Sequence, residues 1–257
     1  MALKLRPIFK RLPAAQFFVL FAGLLAVLNT MIGAIGAARA ADAVDLALVL
    51  AIDCSYSVDS AEYDLQIDGM AYAFSHPHMI GAIASGPHQR IAVTLVQWAN
   101  SSTQATVLPW RILRSPQSIT NFARELSGIS RVVPRGGTPI TGMMRYAYGL
   151  LSRKPFKARR IVIDIVADGR NNSGGDPRQT RDILAALGIT VNGLTILNEV
   201  PTLDAYFKRN IIGRPGNFVI KANEYLQFKQ AIFRKLLREI KGPDVANLPR
   251  LYPENAG

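Results

Sequence analysis

The feature that most constrains this chain is an apolar run that starts at Val44 and ends in a polar loop, VDLALVLAIDCSYS. Its first ten residues contain no Gly or Pro and are mostly Val, Leu and Ala. A run of this kind is typical of a strand that is covered on both faces. The chain is therefore expected to build layers on both sides of this strand.

A short series of oxygen donors follows the predicted strand. Asp53, Ser55 and Ser57 place one carboxylate and two hydroxyls at every second position. Oxygen ligands of this kind suit a hard divalent cation such as Mg2+. The same three residues can also cap the next helix, and the triplet alone leaves both interpretations open.

The rest of the chain alternates predicted strands with predicted helices. Buried strands are expected over 90–98, 160–166, 189–197 and 218–220, and an edge strand, marked by Pro109, over 105–113. Helices are expected over 60–75, 140–151, 203–210 and 224–240, after Ser115 or Ser118, and after Asp176, whereas 76–89 is expected to be a connection. This alternation predicts an α/β fold with a doubly wound, mostly parallel six-stranded sheet and helices on both faces.

Two further loops carry oxygen donors where such a sheet binds ligands, at the carboxyl ends of its strands. Thr138 follows a double glycine and is expected to cap the helix that begins at residue 140. Asp168 directly follows the predicted strand 160–166, and Asp164, Asn171 and Asn172 are assigned at most a supporting role there. A phosphate-binding P-loop is excluded, because no lysine separates the double glycine from Thr138.

Together, the three loops resemble the metal-ion-dependent adhesion site of the von Willebrand factor type A (vWA) family. In that family an Asp-x-Ser-x-Ser loop, a Thr from a second loop and an Asp from a third surround one divalent ion. The resemblance covers residues 44–240, and within the family it is strongest to a group of exported bacterial proteins of uncharacterised function. Tyr56 stands where many members have Gly, and Ala167 where many have Ser or Thr. The metal ligands that the resemblance implies are Asp53, Ser55, Ser57, Thr138 and Asp168.

The resemblance implies a vWA/Rossmann-like binding protein rather than an enzyme. The ion is expected to be Mg2+ or Mn2+, and a partner protein is expected to complete its shell with an exposed Asp or Glu. Two alternatives stay open: a metal-dependent hydrolase of the envelope, and a structural envelope component with a degenerate site. The hydrolase has little support from the residues, because Ser55 and Ser57 lack the glycine pattern of a nucleophile elbow.

The first 40 residues predict export. A basic start without acidic residues precedes an apolar stretch over 17–38, and Ala38-Arg39-Ala40 fits a signal peptidase site. We expect cleavage after Ala40, a vWA-like domain over 41–240 and a flexible tail over 241–257, in a periplasmic or secreted protein. The alternative is an uncleaved membrane anchor, since about 20 apolar residues span a bilayer.

Charge and cysteine content exclude several further classes. The chain has a net charge of +12, and residues 41–257 keep +7 because five basic residues and no acidic one precede them. A basic surface favours acidic partners or membrane surfaces, whereas nucleic-acid binding is not expected without a dense Lys/Arg tract interleaved with aromatics. Cys54 is the only cysteine, so an internal disulfide is excluded and a buried apolar role is expected.

Overall fold

The computed structural model describes residues 43–242, which build a six-stranded sheet. The strands are β1 (Val44–Asp53), β2 (Ile91–Ala99), β3 (Thr103–Leu113), β4 (Ala158–Ala167), β5 (Thr190–Ile196) and β6 (Val219–Ala222). Their spatial order is β3-β2-β1-β4-β5-β6, and all neighbours are parallel except β2 and β3, which pair antiparallel. The predicted sheet is confirmed, including the edge position of the strand that contains Pro109.

Helices cover both faces of the sheet. They are α1 (Ser60–Ser75), α2 (Pro77–Ala84), α3 (Pro116–Ser127), α4 (Ile140–Ser152), α5 (Pro177–Ala186), α6 (Leu203–Asn210) and α7 (Phe228–Lys241). Buried side chains of α1, α2, α3 and α7 pack on one face, and those of α4, α5 and α6 pack on the other. Because both layers cover the central strand, all ten residues of β1 are buried.

Two local expectations about the helices are wrong. Helix α2 occupies most of the segment 76–89 that was expected to be a connection. His76 caps it by accepting the N–H of His78, Pro77 takes its first position, and its apolar side is buried. The closing helix begins at Phe228 rather than residue 224, because a 3-10 turn over Tyr225–Gln227 precedes it.

The strand order determines where polar loops meet. β1 lies between β2 and β4, so the order reverses at β1 and opens a crevice at the carboxyl ends of β1 and β4. Asp53 is the last residue of β1, and Asp168 directly follows β4. Two of the predicted site residues are therefore carried to the same crevice.

Several predictions concern segments outside the described residues. The predicted signal peptide or anchor over 1–40 lies there, as does the predicted tail beyond residue 242. Within 43–242, no helix has the length and apolar character needed to cross a bilayer.

A buried ionic cluster holds α7 against the sheet. The Nζ atom of Lys235 lies 2.6 Å from Asp164 Oδ1 on β4 and 2.9 Å from Glu239 Oε1, and these side chains are at most 2% exposed. Asn192 on β5 also donates to Glu239 Oε1, at 2.9 Å. Burial, together with the charge of Glu239, raises the pKa of Asp164 to about 7 in spite of the nearby ammonium.

We expect the free energy of unfolding to decrease as pH rises between the ordinary pKa of Asp164 and its pKa in the folded protein. Its pKa is about 7 in the fold and 3.8 ordinarily, so the folded state binds more protons between these values. The stabilising contribution is therefore complete below the lower value and lost as pH rises through the upper one. Denaturant unfolding of wild type and Asp164→Asn at about pH 5 and about pH 8 measures it.

The free energy of unfolding should fall less steeply with pH in Asp164→Asn than in the wild type. Asp64→Asn is the matched control, since it neutralises an exposed carboxylate on α1 and should keep the wild-type slope. Parallel pH profiles for Asp164→Asn and the wild type would contradict the assignment.

Candidate metal centre

The first loop turns sharply after β1 and gathers oxygen atoms. Asp53 Oδ1 accepts the N–H of Ser55 at 2.7 Å, which forms an Asx turn. Ser55 Oγ lies 3.1 Å from Ser57 Oγ, and Ser57 Oγ donates to Asp168 Oδ1 at 2.7 Å. Four of the five predicted ligands are thus linked directly, one to the next.

Thr138 lies beside this group on the second loop. A Cβ added to Gly169 would lie 3.2 Å from Thr138 Oγ1, so the hydroxyl is next to the residue that follows Asp168. The N–H of Thr138 donates to Asn172 Oδ1 at 2.9 Å, which ties the second loop to the third. The predicted capping role is wrong: Pro139 is the N-cap of α4 and no side chain caps that helix. The hydroxyl of Thr138 is therefore not used by the helix.

The double glycine lets the second loop approach the first. Tyr56 donates its N–H to the carbonyl of Gly136 at 2.8 Å, and Gly137 donates its N–H to Asn100 Oδ1 at 2.7 Å. A Cβ on Gly136 would collide with the Asn100 side chain, and one on Gly137 would lie 2.9 Å from Asn172 Oδ1. Both positions therefore require glycine for close approach rather than for turn conformation.

Asp53 and Asp168 form a buried acidic pair. The two residues are 1% and 0% exposed, respectively. Burial raises the pKa of Asp53 and the charge of Asp168 raises it further, while Arg131 offsets only part of the shift. Burial also raises the pKa of Asp168, against the hydrogen bonds that it accepts from Ser57 and Tyr225. Two carboxylates so placed favour a positive charge between or beside them.

One oxygen of this pair lacks a partner. Asp53 Oδ2 is buried and has no hydrogen-bond partner among the described residues, a costly state for a carboxylate oxygen. Both oxygens of Asp168, by contrast, accept hydrogen bonds, from Ser57 and from the Tyr225 hydroxyl at 3.0 Å. The residues present fit a cation that contacts Asp53 Oδ2 and reduces the repulsion between the two carboxylates.

The donor set decides which kind of cation fits. Within residues 43–242, no group of three or more His, Cys, Asp or Glu side chains is arranged to hold a metal ion. A site at these loops therefore combines two carboxylates with three hydroxyls, a set that favours hard cations. Cys54 is no ligand here, because it is buried and burial raises the pKa of its thiol to about 12. Its predicted buried position is confirmed.

Supporting residues were predicted only in part. Asn172 holds Thr138, and Asn171 Oδ1 accepts the N–H of Thr141 at 3.1 Å, as the supporting role predicted for the pair requires. The same role for Asp164 is wrong, because it lies within β4 in the cluster with Lys235. It stands four residues before Asp168 in the strand, so its side chain meets α7 rather than the loop.

Sequence reasoning missed Tyr225 and Asn100. Tyr225 contacts Asp168 from a position 57 residues later in the chain, and no local pattern indicates a contact of that range. Asn100 has a φ of 56°, a conformation that Asn adopts more readily than most residues. Its place directly after β2 is the one signal that would have indicated a role at this edge.

Similar solved structures include a mussel protein and a bacterial protein with the same architecture. Proximal thread matrix protein 1 (PTMP1) from the mussel byssus matches with a TM-score of 0.58 at 15% identity, over 77% of this chain and 48% of that one. A second PTMP1 structure, described as having a zinc-occupied MIDAS motif, gives 0.55 at 13%, over 77% and 48%. A von Willebrand factor type A protein from Catenulispora acidiphila gives 0.51 at 16%, over 77% and 43%.

These likenesses establish the fold. The chain spans about half the length of the solved proteins it matches, and no curated protein sequence matches it. The family described as "Protein of unknown function (DUF1194)" matches residues 43–244, which include all of the described residues. The chain therefore belongs to that family, and its domain has the von Willebrand factor A fold.

Proposed function

We propose that this domain binds one divalent cation and, through it, an acidic group on a partner protein. The observation that carries the proposal is Asp53 Oδ2, a buried oxygen without a hydrogen-bond partner. The zinc-occupied motif of the mussel protein supports a divalent ion at such a site, and the oxygen donors of this chain favour Mg2+ or Mn2+. The residues that would hold the ion are Asp53, Ser55, Ser57, Thr138 and Asp168.

The chain's own residues prepare the site for such a partner. Three of the five ligands are neutral hydroxyls, so a bound ion would be more electrophilic than in an all-carboxylate shell and could offer a coordination position to a carboxylate from outside. The backbone of Ser55 fixes Asp53, and Tyr225 fixes Asp168, which in turn orients the Ser57 hydroxyl. This preorganisation lowers the entropic cost of binding.

Exposed apolar side chains lie within or close in sequence to the loops that carry the proposed site. Tyr56 in the first loop is 72% exposed, Val132 before the double glycine 62%, and Leu226 beside Tyr225 76%. They are three of the six large apolar side chains that are exposed in the described region. Aromatic and apolar contacts around a polar anchor are typical of protein interfaces. These exposed side chains therefore favour a protein as the partner.

The positions of the histidines favour binding over hydrolysis. The three histidines are His76, His78 and His88. Helix α1 carries the chain about 24 Å from the first loop before His76, and the N–H of His88 donates to Asp45 near the start of β1. Hydroxyls such as that of Ser55 need an adjacent base to act as nucleophiles, and none of these imidazoles is beside it.

We propose that this binding takes place in the periplasm or outside the cell.

We expect one Mg2+ or Mn2+ ion to bind per chain, with binding lost in Asp53→Asn. In EDTA, the same variant should be more stable than the wild type by about 1 kcal/mol, because it removes an unpaired buried charge. The wild type should also remain folded in EDTA, since a domain of this size does not need a metal for its core. Isothermal titration calorimetry and denaturant unfolding measure the two effects.

Asp64→Asn serves as the control for the metal prediction, since it removes an exposed carboxylate on α1. Its metal affinity should equal that of the wild type, and its stability should change by less than about 0.5 kcal/mol. Unchanged metal affinity in Asp53→Asn would place the ion elsewhere.

Partner binding should depend on the same site. Loss of one charged contact at a desolvated interface costs about 2–5 kcal/mol, so Asp53→Ala or Thr138→Ala should abolish capture of most partners from envelope extract. The measurement compares wild type and Asp53→Ala, each in Mg2+ and in EDTA. Recovery should be high only for the wild type in Mg2+ and should fall with salt. Equal recovery in all four arms would refute the adhesion proposal.

The exposed ring of Tyr56 should contribute to the partner interface without contributing to metal binding. Tyr56→Ala should weaken partner binding about tenfold, as expected for an aromatic anchor, and leave the calorimetric Mg2+ affinity unchanged. Tyr148→Ala is the matched control, because Tyr148 on α4 is also exposed, at 41%. Equal partner binding by both variants would remove Tyr56 from the interface.

A further inference from the structure

A cavity lies at the edge of the sheet opposite the proposed metal centre, at the amino ends of β4 and β5. Its volume is about 200 Å³, below the roughly 300–1,000 Å³ of most small-molecule sites. Arg160 in its wall pairs with Leu46 of β1, about 23 Å along that strand from Asp53. The cavity is therefore separate from the proposed metal centre. Its wall includes the four arginines Arg159, Arg160, Arg214 and Arg238.

Neutral groups position two of these guanidinium groups. Arg160 donates to the carbonyls of Glu239 and Ile240, both at 2.7 Å, at the end of α7. Arg214 donates to the carbonyl of Gly188 at 2.8 Å. Carbonyl partners hold a guanidinium in place without neutralising its charge, and several of its five N–H donors stay free.

Of the other two arginines, Arg238 has no acidic partner within 4.0 Å and Arg159 has a distant one. Arg238 stacks over the ring of Phe218, 4.0 Å from its centroid. Among the described residues, the one carboxylate within 4.0 Å of any of the four guanidinium groups is Asp45, 3.8 Å from Arg159. The cavity wall therefore carries positive charge that the fold does not neutralise at hydrogen-bonding distance.

The one acidic side chain in the wall is committed to other partners. Glu239 Oε1 accepts hydrogen bonds from Lys235 Nζ and Asn192 Nδ2, both at 2.9 Å. Asp45 is the one carboxylate set against the four arginines, since Glu239 is paired with Lys235. An excess of positive charge therefore remains at the cavity to attract an anion.

Arg214 adds a conformational argument. Its φ of 81° lies in the left-handed region that favours glycine, and a side chain held there strains the backbone. Strain of this kind clusters at ligand sites and persists only where the surrounding structure holds the residue in place. The side chain of Arg214 is exposed at the mouth of the cavity rather than packed in the core.

We propose that this cavity binds a phosphate group, either as a free anion or as the phosphorylated end of a larger molecule that extends into solvent. The planar guanidinium group binds phosphate oxygens in pairs, which explains why the wall uses arginine rather than lysine. The small volume selects a compact anion, and the neutral partners of Arg160 and Arg214 hold their donors ready for it.

Calorimetric titration of the full chain with inorganic phosphate tests the proposal. EDTA is present, so that phosphate bound to a metal ion at the other edge does not contribute. We expect one site per chain, and an affinity about tenfold lower in Arg214→Gly and in Arg238→Gln, since each removes one charge-assisted contact. Arg214→Gly also relieves the backbone strain, so loss of binding cannot be attributed to unfolding; thermal melts check this.

Arg124→Gln is the control, because it removes the same charge from an exposed position on α3, and it should bind phosphate like the wild type. Sedimentation with phosphatidylcholine vesicles, with and without phosphatidic acid, identifies the source of the phosphate. If the protein sediments with the phosphatidic acid vesicles and free phosphate prevents this, the ligand is a lipid headgroup. If it does not sediment with either kind of vesicle, the ligand is a soluble phosphate compound. Absence of binding heat, or equal affinity in the wild type and both cavity variants, would overturn the proposal.

Discussion

Burial of β1 on both faces is the constraint from which the rest of this structure follows. Its ten residues are covered by helices above and below, and its backbone groups pair with β2 on one side and β4 on the other. Polar side chains of β1 are therefore accommodated only at the ends of the strand. Asp53 stands at one end and closes a turn with Ser55, which is why the functional loop begins where the apolar run stops.

The fold and the site loops could be predicted because each rests on a local pattern. Asp53, Thr138 and Asp168 all follow recognisable strands or glycine turns, and parallel pairing brings strand ends to one edge. The missed features depend on contacts between distant segments: Tyr225 reaches Asp168 across 57 positions. Helix α2 is different, since His76 and the following proline are local start signals that the sequence interpretation did not use.

The two edges of the sheet have opposite chemistry. The carboxyl edge holds the buried pair Asp53 and Asp168 with neutral hydroxyls, whereas the amino edge holds four arginines around a cavity. Burial penalises both kinds of charge when they are unpaired. The acidic pair and the arginine cluster lie too far apart to neutralise each other across the apolar core.

Two buried aspartates of neighbouring strands show why a counter-charge matters. Asp164 within β4 is fully buried, and the fold supplies Lys235 at 2.6 Å to pair with it. Asp53 at the end of β1 is equally buried, yet its neighbour is another carboxylate, and Oδ2 has no donor among the described residues. The fold thus provides a cation where the charge serves the core. At the strand end it provides oxygen atoms and an arginine, Arg131, that offsets only part of the repulsion, an arrangement that is favourable once a cation arrives from solution.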